Sequence, residues 1–80
     1  MLVSNNQISP GNFVKFNFWS SYLAPSSIVN DKGIIEWYEI FPGDRGMVIS
    51  VDANNEIVTV IFSRIEKILN IHINQLKVEQ

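Results

Sequence analysis

The chain has 80 residues, of which 46% are hydrophobic and 18% charged, so it has room for one small domain with a single core. Its formal net charge of −2, with only six basic residues, argues against the concentrated positive surface that binding to phosphate backbones requires. Disulfide bonds are excluded because there is no cysteine, and no stretch approaches the roughly 18 consecutive apolar residues of a membrane span. We expect a soluble, cytoplasmic protein.

The composition is biased in a way that bears on both source and fold. Twelve Ile and nine Asn stand against two Ala, as expected of a coding sequence rich in A and T, which suggests a phage or an AT-rich bacterium. Abundant Ile, Val and aromatic residues with few strong helix formers favour strands. We therefore expect an all-β domain.

The N-terminal part of the chain predicts one strand after a flexible segment. Residues 1–9 are polar and unpatterned, and we expect the single domain to span residues 10–80. Pro10-Gly11 indicates a turn, and the residues after it alternate with the period of a half-buried strand. The alternation places Val14, Phe16 and Phe18 on one side and Phe13, Lys15 and Asn17 on the other.

Residues 19–41 predict a long connection, because Ser, Pro, Asn, Asp and Gly interrupt any period in its first two thirds. Connections of this length are uncommon in compact domains unless they carry function or pack on the core. Near its end, residues 34–40 could form an extra strand or one helical turn, and we favour the strand.

A turn and a hairpin are predicted next. Pro42-Gly43 has the chemistry of a type II turn, with glycine supplying the positive φ. Residues 47–52 and 56–62 are rich in Val and Ile, and the intervening Ala53-Asn54-Asn55 suits a tight connection. Because Val48 and Val51 are three residues apart, both can face the core only if the first of these strands carries a β-bulge.

The C-terminal part is ambiguous between helix and strand. Residues 63–66 match a helix capping box, and apolar residues recur at helical spacing after it. Against a helix, Leu69, Ile71 and Ile73 alternate in a β-branched run. We predict a turn at 63–66, a strand to about residue 72, a 3₁₀ turn at 74–76 and a short last strand at 77–79.

The order of the segments PGNFVKF, a long loop, PGDRGMVISVD, EIVTVIF and INQLKVE resembles that of SH3-like small barrels. The segment PGDRGMVISVD is similar to one found in KOW-type domains and in small phage-associated barrels. The resemblance implies a five-stranded SH3-like barrel with a long first loop, in which the last strand pairs back on the first. These segments specify turns and barrel corners, so they indicate architecture and not activity.

The sequence offers no constellation typical of an enzyme. His72 is the single histidine and lies in a predicted strand, where a structural or solvent-facing imidazole is the simpler interpretation. Residues 43–46 have too few glycines for a phosphate-binding loop, and the acidic residues match no calcium loop. We expect no enzymatic activity, no cofactor and no metal.

The long connection combines carboxylates with aromatic rings, which is the chemistry that receives basic, proline-rich peptides. We therefore expect an interaction module or small accessory subunit that docks on a larger protein through residues 19–41. An alternative role for Trp37 and Phe41 is to cap the open end of the barrel. The candidate partner-binding residues are Trp19, Tyr22, Glu36, Trp37, Tyr38 and Glu39.

Two further possibilities stay open at this point. A nucleic-acid-binding barrel would need its basic residues to converge on one face, to overcome the net negative charge. The residues concerned are Lys15, Arg45, Arg64, Lys67 and Lys77. A homo-oligomer is compatible with either function, because an exposed edge strand can pair with its copy.

Overall fold

The computed structural model describes residues 8–79, and these form seven β-strands and one short 3₁₀ helix. Residue 80 and most of the predicted flexible segment, residues 1–7, lie outside the described residues. The all-β fold class is confirmed. The strands are β1 (Phe13–Phe16), β2 (Tyr22–Val29), β3 (Ile35–Ile40), β4 (Arg45–Asp52), β5 (Ile57–Phe62), β6 (Lys67–His72) and β7 (Leu76–Glu79).

All pairings are antiparallel, and the strand order is β3-β2-β6-β5-β4-β1-β7. The sheet thus has seven strands where five were expected, and it is not closed: β3 and β7 are its two edges. No helix among residues 8–79 has the length and apolar character needed to cross a membrane.

The alternation predicted for the first strand is confirmed. Val14 and Phe16 are fully buried in β1, whereas Phe13 is 63% exposed. Phe18, beyond the end of the strand, packs against the core. β1 lies between β4 and β7, so its inward side chains contribute to the centre of the core and its outward ones lie on the surface of a three-stranded segment.

The extra strands come from the predicted connection, residues 19–41, which is a hairpin and not an irregular loop. The favoured strand at 34–40 is present as β3, and its partner β2 was missed. Pro and Ser in residues 25–27 disturb the period of β2, and a register shift between Pro25 and Val29 accommodates them. Asn30 closes the hairpin because its side chain accepts the N–H groups of Lys32 and Ile34.

Both Pro-Gly pairs form the same turn. The N–H of Asn12 donates to the Ser9 carbonyl at 3.1 Å, and that of Asp44 donates to the Phe41 carbonyl at 2.9 Å. The glycines at the third position, Gly11 and Gly43, have φ of +89° and +93°. These values agree with the type II turn predicted at the second pair.

The predicted β-bulge is confirmed in β4, where the register against β5 shifts between Val48 and Ser50. Val48 is buried, and Val51 is partly buried against the core, so both face inward. β4 pairs with β1 at its start and with β5 along its length, and the bulge bends and twists the strand beyond its pairing with β1.

Residues 63–66 form a turn, and the helical alternative is wrong. The turn is followed by β6, in which Leu69 and Ile71 are buried as the alternation predicted. The 3₁₀ helix covers Ile73–Gln75, one residue earlier than predicted, and β7 then pairs with β1. His72 has a structural role here, because its Nδ1 accepts the N–H of Asn74 at 3.1 Å and caps the 3₁₀ helix.

The core is entirely apolar among the described residues, and it collects the inward face of every strand. The buried set is Ile8, Val14, Phe16, Ala24, Ile40, Val48, Val58, Val60, Phe62, Leu69, Ile71, Ile73 and Leu76. Hairpin β2–β3 adds only Ala24 and Ile40 to this core, so most of its larger side chains face elsewhere.

Candidate functional site

Strand alternation divides the predicted partner-binding residues between two faces of hairpin β2–β3. Residues directly opposite each other in an antiparallel pair share a face. Tyr22 lies opposite Ile40, and Ala24 lies opposite Tyr38, so these four residues occupy the face that contains the buried Ala24 and Ile40. Trp37, between Glu36 and Tyr38 in sequence, lies on the opposite face.

The outward side of the hairpin is apolar and uncovered. We call this side the hairpin face and define it by Leu23, Val29, Ile35 and Trp37. Leu23 and Trp37 are each 59% exposed, and Val29 and Ile35 are about half exposed. Glu39 belongs to the same side, because it lies opposite Leu23. Trp37 therefore does not cap the core, and the indole is available at the surface.

The inward side carries the polar half of the predicted site. The Tyr38 hydroxyl donates to Glu36 Oε1 at 2.9 Å, and Lys67 Nζ lies 5.4 Å from the centre of the Tyr38 ring. Together with Glu66, from the turn between β5 and β6, these residues line a groove of about 250 Å³. We call it the acidic groove.

Glu66 is a residue of this groove that the sequence did not indicate. It has a φ of +56°, a conformation that L residues other than glycine and asparagine rarely adopt. Its N–H donates to the Phe62 carbonyl, which closes the turn before β6. One carboxylate of the groove therefore belongs to β3 and the other to a turn 30 residues later in the chain. No local sequence pattern predicts that such a pair lies together.

Trp19 and Tyr22 belong to an aromatic cluster at the start of the hairpin. The Phe18 ring lies 5.6 Å from the Trp19 ring and 6.3 Å from the Tyr22 ring, measured between centroids. Phe16 joins the cluster from the core, 6.3 Å from Tyr22. Trp19 is 84% exposed, so it presents an indole to solvent, but Tyr22 lies on the side of the hairpin opposite to Trp37.

The base of the hairpin is fixed by Arg64. Its guanidinium makes two hydrogen bonds to the Asp44 carboxylate, at 2.9 and 2.8 Å, and one to the Glu39 carbonyl at 3.1 Å. It also lies 4.9 Å from the centre of the Phe41 ring. The Arg64 hydrogen bond holds the pKa of Asp44 below its ordinary value, and the same bond raises the pKa of Arg64. This ion pair joins the turn between β3 and β4 to the turn between β5 and β6, and the bond to the Glu39 carbonyl adds the end of β3.

Only three of the five basic residues converge. Lys15 lies opposite Arg45 on one side and opposite Lys77 on the other, which produces a row of three basic side chains across β4, β1 and β7. Arg45 also pairs with Glu79 at 2.9 Å. Arg64 and Lys67 lie elsewhere, at Asp44 and Tyr38. We call Arg45, Lys15 and Lys77 the basic row.

A second groove, of about 390 Å³, lies beside the basic row. Phe13, Met47 and Ile61 form its apolar part, with Arg45, Glu66 and Glu79 among its other lining residues. The alternation in the sequence predicted that Phe13 lies on the outward side of β1, and this was the one sequence feature that indicated an apolar surface here. Among the described residues there is no group of three or more His, Asp or Glu side chains that could hold a metal ion.

Comparison of the chain with known proteins identified no relative. No protein-family model matches the chain, and neither a curated protein nor a solved structure is significantly similar to it.

Proposed function

We propose that this protein is a non-enzymatic interaction module that docks on a larger protein through hairpin β2–β3. The observation that carries the proposal is the hairpin face, which leaves Leu23, Val29, Ile35 and Trp37 about half exposed or more. Contiguous exposed apolar side chains on a small domain mark interaction surfaces, and tryptophan is the residue type most enriched among energetic hot spots. The proposed setting is the cytoplasm of a bacterium or of the host of a phage, supported by the absence of cysteine.

The acidic groove supports a partner segment that is extended and basic. Glu36 and Glu66 line it with the Tyr38 ring between the hairpin and the β5–β6 turn. An Arg or Lys of the partner would form charge-assisted hydrogen bonds with these carboxylates, and a flat ring stacks on an extended ligand at low entropic cost. Lys67, which already lies over Tyr38, is the resident cation that such a side chain would displace.

The order of elements supports an SH3-like architecture in which the first loop has become hairpin β2–β3. After the hairpin come the three strands β4, β5 and β6, then the 3₁₀ helix, and then a short strand that pairs back on β1. This is the sequence of elements that the resemblance implies. In peptide-binding modules of this class, aromatic grooves recognise preformed, proline-rich segments.

We expect Trp37→Ala and Glu36→Lys each to weaken capture of the partner by about 30-fold or more, the loss typical of a hot-spot residue. Neither side chain is part of the core, so both variants should keep the circular dichroism spectrum of the wild type. The measurement is affinity capture with immobilised wild-type protein, followed by titration of the identified partner against each variant.

Phe13→Ala is the matched control. Phe13 is 63% exposed, close to the 59% of Trp37, but it lies on the surface formed by β4, β1 and β7. The control should bind as the wild type does. Undiminished binding by Trp37→Ala and Glu36→Lys together, or an equal loss in Phe13→Ala, would contradict the assignment of the hairpin.

A second candidate function is binding of single-stranded nucleic acid, and the basic row favours it. Three like charges directly opposite one another destabilise a sheet unless something neutralises them, and Glu79 pairs with Arg45 alone. Phosphate groups would neutralise Lys15 and Lys77, and the exposed ring of Phe13, two residues from Lys15, is placed for stacking with a base.

A gel shift with a single-stranded oligonucleotide tests this candidate. Binding should be strongest at about 50 mM salt and fall steeply as salt increases, since it releases counterions. Lys15→Glu should abolish the shift, whereas Lys32→Glu, an equal change of charge in the hairpin turn, should leave it nearly unchanged. No shift at low salt, or the same loss in both variants, would exclude the basic row as a nucleic-acid site.

A further inference from the structure

The two edges of the sheet differ in how they are protected. β7 is four residues long and carries Lys77, and its Glu79 is held by the ion pair with Arg45. β3 is six residues long, contains neither Pro nor Lys, and has no strand on its outer side among the described residues. Short length and edge lysines are two of the means by which proteins prevent edge-to-edge pairing. The edge of β3 therefore lacks the protection that β7 has.

The composition of β3 also favours pairing. Four of its residues, Ile35, Trp37, Tyr38 and Ile40, are of the β-branched and aromatic types enriched in strands. Arg64 donates to the Glu39 carbonyl at the end of the strand, so the stretch from Ile35 to Tyr38 is the part of the edge that is open. A row of backbone N–H and C=O groups in this position is a template for another strand.

We propose that β3 pairs antiparallel with β3 of a second copy of this chain, about a twofold axis at Trp37. The proposal goes beyond the proposed function, because it assigns the edge of the strand and not the hairpin face. It commits to a second copy because, with the axis at Trp37, β3 lies against its own reverse without placing two carboxylates opposite each other.

The register follows from symmetry. A twofold axis perpendicular to an antiparallel pair passes through one residue of each strand, and that residue then lies opposite its own copy. An axis at Glu36 or Glu39 would place two carboxylates directly opposite each other, which is destabilising. An axis at Tyr38 would place Glu36 opposite Ile40, at the fully buried end of the strand.

An axis at Trp37 avoids these conflicts. It places the two indoles opposite each other on the hairpin face, where aromatic cross-strand pairs stabilise a sheet. Glu36 then lies opposite Tyr38 of the second copy. These two residue types are compatible neighbours, since within one chain the Tyr38 hydroxyl donates a hydrogen bond to Glu36 Oε1 at 2.9 Å. Glu39 lies opposite Ile35 at the margin of the pairing, where the Glu39 carbonyl already accepts a hydrogen bond from Arg64. The two hairpin faces become one continuous apolar surface with the paired indoles at its centre.

Single cysteine variants test the register, because the natural chain has no cysteine. Trp37→Cys places two thiols opposite each other across the axis, within the range of Cβ separations from which a disulfide forms with small adjustments. Leu23→Cys is the matched control: Leu23 is equally exposed at 59%, and it lies on the same face but one strand from the edge. Under mild oxidation we expect a covalent dimer for Cys at position 37 and a monomer for Cys at position 23.

Sedimentation equilibrium of the wild-type chain provides the second measurement. The average mass should rise as the protein concentration is increased to about 1 mM, as expected for a weak dimer. Trp37→Lys should abolish this rise in mass, because it places like charges opposite each other at the axis. A wild-type chain that stays monomeric throughout, or equal cross-linking at positions 23 and 37, would overturn the proposal. Leu23→Lys separates the two proposals, because it should weaken partner capture by the hairpin face and leave the dimer intact.

Discussion

Phe16→Ala is expected to lower the free energy of unfolding by about 3–5 kcal/mol, the range measured for large aromatic residues in protein cores. Phe16 is fully buried and lies on β1, the strand between β4 and β7. Its ring is 5.9 Å from that of Phe18 and 6.3 Å from that of Tyr22, so truncation leaves a cavity among rings that cannot collapse without moving the start of the hairpin. Urea denaturation followed by tryptophan fluorescence measures the change.

Phe13→Ala is the control on the same strand. Phe13 points to the surface and is 63% exposed, so its truncation should change the free energy of unfolding by no more than about 0.5 kcal/mol. The contrast between two phenylalanines three residues apart tests the inward and outward assignment of β1 directly. Equal losses in the two variants would mean that β1 presents its faces differently from the structure described above.

Gly46→Ala has the second-largest expected effect, a loss of about 1–3 kcal/mol, as is usual when a methyl group is forced into a packed site. Gly46 is buried in β4 opposite Phe62 of β5. A Cβ atom there would overlap the carbonyl oxygen of Ile61 and come within 2.6 Å of Val60 Cγ1. Because one of these neighbours is backbone, the strand itself must shift.

A size series separates this steric cause from a conformational one. Gly46→Val should be more destabilising than Gly46→Ala, since the loss scales with the volume that β5 must accommodate. Gly43→Ala is the comparison, because its Cβ would meet nothing within 4 Å and the cost there is the strain of a φ of +93°. If Gly46→Ala unfolded at the same urea concentration as the wild type, the close approach of β4 and β5 would be wrong.

Local patterns were sufficient wherever one face of a strand is buried. The alternations in β1, β5 and β6 predicted which of their side chains are inside, because residues two apart on a strand share a face. The two Pro-Gly turns and the bulge in β4 were predictable for the same local reason. A turn depends on the φ of one glycine, and two valines three apart can share a face only with one extra residue.

β2 could not be predicted, because the reasons for it are not local. Pro25, Ser26 and Ser27 are turn-forming residue types. They lie in a strand because Pro25 pairs with Trp37 of β3 and Ser26 pairs with Leu69 of β6, while the register against β3 shifts between Pro25 and Val29. The hairpin face is exposed, so its apolar residues do not alternate with polar ones in the way that indicates a half-buried strand. For these reasons the sequence pattern of the segment predicted a loop, although the segment forms a hairpin.

For the candidate site, the sequence selected a segment but could not give its arrangement. It selected residues 19–41 by their acidic and aromatic content, and most of the selected side chains are exposed. It could not separate Trp37 from Tyr38, which the pleat directs to opposite faces, nor add Glu66, which arrives from another turn. The basic residues show the same limit, since three of the five lie in one row and two are engaged elsewhere.

The all-β class, the positions of the sharpest turns and the core-facing residues of three strands follow from local patterns, because each of these depends on neighbours in the chain. The seven-stranded sheet, the groove shared by Glu36 and Glu66, and the position of Trp37 on an open edge strand arise from contacts between distant segments. Strand pairing joins residues that are distant in sequence, so its free energy depends on both partner strands and cannot be predicted from either segment alone.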